Sequence, residues 1–258
     1  MNVLMVGDVY GEPGRAAIQK LLPRLREQYA ISLAVVNVEN AAGGFGVTPP
    51  IAKAFLEQGV DVMTTGNHVW DKKEIVPHIV KENLLLRPAN FPEGTPGVGY
   101  VAIKAGPYRV GVVNLMGRVF MNPLDCPFRK ADEIVAVLGK ETPVILVDMH
   151  AEATSETLAM GWYLSGRVTA VVGTHRHVQT ADERVLPGGT AYITDLGLTG
   201  PTDGIIGVDR EQIIQRFMTQ MPIKFETAKG PAALHGVVIA LDPETGRATD
   251  IQRLRVPA

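Results

Sequence analysis

Short apolar, β-branched runs alternate with helically periodic stretches along most of the chain. The runs are "VLMVGD", "LAVVNVEN", "VDVMTTGN", "YRVGVVNL", "PVILVDMH", "VTAVVGTH" and "TAYITDLG". Continuous apolarity of this kind marks strands buried on both faces of a sheet. Between the first two runs, Ile18, Leu21, Leu22, Leu25 and Tyr29 form one helical face. Gly11-Glu12-Pro13-Gly14 opens that helix, with Pro13 suited to its first turn. Pro23 is expected to kink or shorten it. Further helices are expected near residues 49–58, 71–82, 129–139, 153–165 and 209–219. Near the end, Asp242-Pro243-Glu244-Thr245-Gly246 is a turn signal between two strand-like arms, a hairpin that would close a sheet.

No repeat or low-complexity tract interrupts the pattern. The stretch "MGRVFMNPLDCP" (116–127) is the most irregular and reads either as a loop over a site or as an ordinary surface connection. "RPANFPEGTPGVG" is also loop-like, and neither divides the chain. One α/β domain spanning residues 1–258 is the expectation.

Composition narrows the function classes. With 25 basic and 27 acidic residues the net charge is −2, so no global positive field exists to hold a phosphate backbone, and stable nucleic-acid binding is not expected. The single cysteine, Cys126, cannot form an internal disulfide. The first residues carry no basic region followed by a small-residue cleavage pattern. No run of 18 uncharged apolar residues occurs. A cytoplasmic protein without a membrane span is the resulting expectation, and a homo-oligomer is left open.

The chemistry lies at the ends of the apolar runs. Asp8 ends the first, Glu39 and Asn40 the second, Asn67 and His68 the third, His150 the fifth, and His175 with His177 the sixth. Taken singly, Asp8 is a candidate helix N-cap, the asparagines are turn residues beside glycines, and His150 is a satisfied core histidine. Together they converge, because parallel strands in an open α/β sheet share one carboxyl edge, where ligands bind. On extended backbone His175 and His177 would point to the same face. Three histidines, two carboxylates and two amides exceed what one metal needs. With no cysteine among them, the donors favour manganese, iron or zinc. Two cations need an anion between them, and Glu39 is placed for that. Two metals roughly 3.5 to 4 Å apart are a recurring device for displacement at phosphorus by a bridging hydroxide. His68 would then protonate the leaving oxygen, provided that a turn at Gly66 brings it to the same side as Asn67.

The words "GNH" (66–68) and "GTHRH" (173–177), with Asp8 and the isolated His150, resemble the motif series of the calcineurin-like metallophosphoesterases. A closer resemblance, over nearly the whole chain, is to the bacterial YmdB-type phosphodiesterases. It rests on "GDVYGEPGR", "VNVENAAGG", "TTGNHVWD", "VDMHAEATSE", "GTHRHVQTAD" and "TDLGLTGP". Tyr10 stands where the broader superfamily has a histidine, and Glu39-Asn40 where it has a bridging aspartate; both agree with the YmdB-type branch.

The resemblance implies a metallophosphoesterase-type α/β sandwich, two central sheets flanked by helices with the site at the carboxyl ends of strands. It implies two divalent or mixed-valence metal ions, iron or manganese ahead of zinc. Asp8, Asn40 and His177 would hold one, Asn67, His150 and His175 the other, and Glu39 would bridge, with His68 the proton donor. The implied activity is hydrolysis of a small phosphodiester, a 2′,3′-cyclic nucleotide opened to the 3′-nucleotide.

Three further expectations complete the reading. Asp148, Asp195 or Glu152 would orient a ligand histidine; Arg118 and Arg176 are candidate phosphate contacts; Phe45 and Phe120 would stack on a base or pack at a subunit interface. The competing functions are a broader phosphomonoesterase or nuclease and a nucleotide-responsive regulatory protein without turnover. A dinucleotide-binding oxidoreductase is disfavoured, because no G-x-G-x-x-G follows the first strand.

Overall fold

The apolar runs become strands that are covered on both faces. A computed structural model describes all 258 residues. The first half contains β1 (Asn2–Val6), β2 (Asp8–Val9), α1 (Gly11–Gln28), β3 (Ile31–Asn37), α2 (Pro49–Glu57), β4 (Val62–Thr64) and α3 (Ile75–Ile79). Next come β5 (Tyr100–Ala105), β6 (Tyr108–Met116), α4 (Pro127–Leu138), β7 (Ile145–His150), α5 (Thr154–Tyr163) and β8 (Ala170–Thr174). The chain ends with β9 (Arg184–Leu186), β10 (Thr190–Ile193), β11 (Leu198–Pro201), α6 (Arg210–Thr219), β12 (Ala232–Leu241) and β13 (Ala248–Pro257).

Two sheets form. The first has the order β2-β11-β12-β1-β3-β4, with β13 added on β12; the second has the order β5-β6-β7-β8-β10-β9. Strands β1, β3 and β4 run parallel, as do β6, β7, β8 and β10.

Alternate side chains explain the layering. Leu4, Val6, Ala34 and Val36 face outward with Ile18, Leu21 and Leu25 of α1 and Phe55 of α2. Val3, Met5, Leu33 and Val35 face inward and meet Val110, Val112, Leu146 and Val172 of the second sheet. That sheet's outer face, including Val113, Ile145, Val147 and Val171, packs with residues of α4 and α5 such as Ile134 and Met160. The result is the α/β/β/α sandwich that the family resemblance implies, with two sheets where the residue pattern alone indicated one open α/β sheet.

Every strand expected from an apolar run is present, and the terminal hairpin closes the first sheet through β12 and β13. Its turn is fixed by the Gly246 N–H donating to the Asp242 carbonyl at 2.8 Å, with Gly246 at φ +71°. Strands β5, β9 and β11 lie outside the sequence expectation, since none has a long apolar run. Two helix expectations need correction. Helix α1 runs through Pro23, which lies on the water-facing side with Gln19, so the carbonyl left without its helical donor can be hydrated. Helix α3 covers only Ile75–Ile79 within the expected 71–82. Pro77 has no N–H for the Lys73 carbonyl, which removes the bond that would carry the helix back toward Asp71. No helix is long and apolar enough to cross a membrane.

Leu4 is fully buried between β1 and α1. Leu4→Ala is expected to lower the unfolding free energy by about 2–5 kcal/mol, measured by urea denaturation, because the surrounding sandwich cannot close over the lost volume.

Candidate metal centre

The carboxyl ends of strands from both sheets meet at one rim. Asp8 starts β2 immediately after Gly7, and its Oδ2 accepts from the His175 N–H at 3.1 Å. After β3, Asn37 Oδ1 accepts from the Glu39 N–H at 3.1 Å and turns the chain so that Glu39 and Asn40 point into the rim. His150 is the last residue of β7. His175 and His177 follow β8.

Gly66 lets Asn67 and His68 reach the rim after β4. A Cβ at this glycine would collide with Glu39 Oε2 and His150 Nε2. A side chain and the cluster therefore cannot share this space.

Glu39 is the centre of the cluster. Its Oε1 lies 3.2 Å from His150 Nε2 and accepts from Asn40 Nδ2 at 3.1 Å; its Oε2 accepts from the His68 N–H at 3.4 Å. His150 Nε2 also lies 2.9 Å from Asn67 Oδ1 and 3.1 Å from His175 Nδ1. Asn40 Nδ2 lies 3.0 Å from His177 Nε2. Ligand-capable atoms of Glu39, His150 and His175 all lie within 4.8 Å of one another, and so do those of Asp8, Glu39 and His177. Glu39 belongs to both groups.

Several observations test whether cations fit. Asp8 Oδ1 is buried with no hydrogen-bond partner, a costly state for a carboxylate. A single Nε2 proton on His150 cannot serve Glu39, Asn67 and His175 at once. A half-turn of the Asn40 amide would present its oxygen beside His177 in place of its nitrogen. Burial pushes the Asp8 carboxyl well above its ordinary pKa. Burial also opposes charge on Glu39 and His150, but their mutual attraction outweighs it, holding Glu39 down to about 2 and lifting His150 to about 9. Burial and the adjacent His150 push His175 down to about 3, and burial pushes His177 down. The carboxylates select positive charge at the centre while the two outer imidazoles stay neutral, the form that ligates metal. Oxygen and imidazole donors without thiolate suit iron, manganese or zinc.

A hydrogen-bonded support surrounds the cluster. His150 Nδ1 lies 2.9 Å from Thr174 Oγ1, which donates to Asp148 Oδ1 at 2.7 Å. Asp148 Oδ2 accepts from Thr64 at 2.5 Å and Asn37 at 3.1 Å. Asp148 thus orients His150 through a threonine, an intermediary that the sequence did not reveal. Glu152 Oε2 meets His175 Nε2 at 3.0 Å, one of the direct partners anticipated. His177 Nδ1 lies 2.9 Å from the Ile206 carbonyl.

The route by which the two histidines converge differs from the expectation. They do not lie on an extended strand: His175 has φ +106° and His177 φ +61°. Backbone strain of this kind persists only where the surroundings hold it. Here Asp195 Oδ2 accepts from the Arg176 N–H at 3.1 Å, and the Arg176 Nη1 donates to the carbonyls of Ala151 at 2.9 Å and Glu152 at 3.1 Å. Arg176 also pairs with Asp195 at 3.2 Å. It is a clamp on the turn rather than the free phosphate contact that its position in the sequence suggested, and Asp195 supports the histidines through it.

All eight rim residues singled out from the sequence are brought together. His68 stands at the edge of this set, its Nδ1 2.8 Å from Asp71 Oδ2 and its ring edge-on to Phe45 at 5.0 Å. The spacing "HVWD" was the available signal for Asp71. Phe45 lines a cleft of about 380 Å³ together with Glu39, Asn40, His68, His175 and His177. Neither Phe120 nor any other residue of the 117–126 loop lines it; Glu156 fixes this loop instead, accepting from the Arg118 and Val119 amides. This is the ordinary surface connection.

A two-sheet sandwich with a histidine-carboxylate-amide cluster at its rim defines the metallophosphoesterase type. A family model described as YmdB-like protein matches residues 4–254, and the chain belongs to that family. It is 53% identical over 256 residues to a 2′,3′-cyclic-nucleotide 2′-phosphodiesterase of Bacillus subtilis (strain 168), covering 99% of this chain and 97% of that one. It superposes with a TM-score of 0.93 on a hypothetical protein from Thermus thermophilus, 41% identical, covering 100% and 99% of the two chains. A novel phosphatase from Mycoplasma pneumoniae gives the same TM-score at 33% identity, covering 100% and 93%.

Gly66→Ala tests the crowding at the centre. Calorimetric titration with manganese is expected to show at least a tenfold loss of affinity while the far-ultraviolet circular dichroism spectrum is unchanged; full affinity would show that the rim relaxes around the methyl group.

Proposed function

We propose that this chain is a dinuclear metal-dependent phosphodiesterase that opens 2′,3′-cyclic nucleotides to 3′-nucleotides. The observation that carries the proposal is the double membership of Glu39, whose carboxylate lies within 4.8 Å of ligand-capable atoms of His150 and His175 on one side and of Asp8 and His177 on the other, with His68 beside it. The similarity to the Bacillus subtilis diesterase supports the substrate class. Asp8, Asn40 and His177 would hold one ion and Asn67, His150 and His175 the other, with Glu39 shared. Iron or manganese suits these donors. When bound, such a pair lowers the pKa of a water and neutralises phosphoryl charge.

The protein's own residues do the rest. Asp71 holds His68 Nδ1, which fixes the ring and leaves Nε2 as the nitrogen able to deliver a proton. That proton goes to the departing 2′ oxygen, which would otherwise leave as an alkoxide. Phe45, Phe225 and Ile206 supply an apolar wall to the cleft for the nucleoside. Glu152, Thr174 and Asp195 keep the histidines in place and take no part in proton transfer. The chain acts as one domain, consistent with the core shared by its two sheets. A cytoplasmic location fits the single cysteine.

Manganese-loaded protein is expected to convert 2′,3′-cyclic AMP to 3′-AMP, identified by chromatography of the products. Release of 2′-AMP would reverse the bond assignment, and no turnover by protein with two bound metals would reject this substrate. His68→Ala is expected to keep both metals by elemental analysis and to lose about 10²–10⁴-fold in kcat, the range of a general acid. An unchanged kcat would remove His68 from the chemistry.

A further inference from the structure

A second cleft, of about 610 Å³, adjoins the metal centre. His177 and Ile206 line both clefts, which adjoin at these two residues. The second cleft opens where the core between the sheets ends. On the inward face of β12 and β13, Val237 and Ile251 still belong to that core. The next positions on the same face are His235, Arg253 and Arg255, with His235 directly opposite Arg255 in the register. A face that is apolar for most of its length thus becomes cationic, and no aspartate or glutamate lines the cleft.

Two of these groups, Arg255 and His235, are poorly used by the protein. Arg255 belongs to none of the chain's ion pairs. Arg253 pairs with Glu183 at 3.3 Å. Both ring nitrogens of His235 are shielded and have no hydrogen-bond partner, although its backbone is held by Thr199. Burial and the charge of Arg255 push the His235 ring down to about 4, so at neutral pH it is uncharged and has one N–H to donate. An oxyanion in the cleft would pair with the forked guanidinium of the exposed Arg255 and, once a turn of the His235 ring brings a nitrogen out of its shielded position, accept from its N–H.

We propose that this cleft is an anion site for a phosphate group, distinct from the metal centre and adjoining it at His177 and Ile206. The phosphate is either carried by the substrate, as a 5′-phosphate on the cyclic nucleotide, or free in solution. The site itself stands on the cleft; only the substrate-borne source rests on the diesterase reading.

The test is calorimetric titration of manganese-loaded protein with inorganic phosphate. Two equivalents per chain are expected, one at the metals and one in the cleft. Arg255→Gln is expected to bind one, and His235→Asn to weaken the second equivalent at least tenfold. A single equivalent in the unaltered protein that Arg255→Gln retains, or two of unchanged affinity in Arg255→Gln, overturns the proposal. Displacement then identifies the source: adenosine 2′,3′-cyclic phosphate bearing a 5′-phosphate displaces both equivalents if substrate carries the group, and only one if the anion is free. Because every readout is binding, failure of cyclic AMP hydrolysis leaves this test intact. Cyclic AMP turnover, where present, is expected to stay within twofold in both variants, since neither residue lines the catalytic cleft.

Discussion

Burying the carboxylate of Glu39 is the constraint around which the rim is built. A charge taken out of water at this depth is tolerated only with opposite charge and hydrogen bonds close by. His150 supplies the charge at 3.2 Å, and the Asn40 amide and the His68 backbone supply the bonds. Asp8, equally buried, adds a second carboxyl group with one oxygen unpartnered, whose charged form burial opposes. The cluster is thus short of positive charge within the protein itself. That shortage turns a costly piece of buried polarity into a place where cations are stabilised.

Holding such a cluster in register requires rigid supports from both sheets. The Asp148 carboxylate joins them: it receives Thr64 and Asn37 from the first sheet and Thr174 from the second, and Thr174 in turn sets His150. Arg176 performs a comparable task for the His175–His177 turn, directing its donors to carbonyls and to Asp195. The strained backbone of that turn is stable because these contacts over-determine it. Catalytic geometry and inter-sheet packing are therefore one problem, since displacing one sheet against the other would separate His150 from Glu39. The same sandwich leaves a cationic strand face uncovered where the inter-sheet core stops, giving the chain a second polar cleft that shares only His177 and Ile206 with the first.

Much of this was legible in the sequence because burial on two faces leaves a local signature. The seven apolar runs became strands, and the polar residues ending them became the rim, since parallel strands deliver their carboxyl ends to one edge. Residue type also carried the chemistry: histidine, carboxylate and amide without cysteine is a metal-ligand vocabulary wherever it converges. The short strands β9 and β11 left no such trace, because a few residues at a sheet edge are specified by their neighbours. The same holds for α1, where Pro23 reads as a breaker but sits on the one face that water can serve.

The sequence by itself determined the α/β class, the seven strands that are apolar runs, the closing hairpin and the polar residues that end those runs, because period and residue chemistry are local properties. Tertiary structure alone decided the partnerships. His177 meets Asn40 and Thr174 meets Asn37 across 137 positions, and Asn67 meets His150 across 83. It also decided that His175 and His177 converge through left-handed backbone rather than along a strand, and that Arg176 faces inward. Hydrogen bonds and charge pairs act over about 3 Å of space, and separation along the chain does not encode that distance.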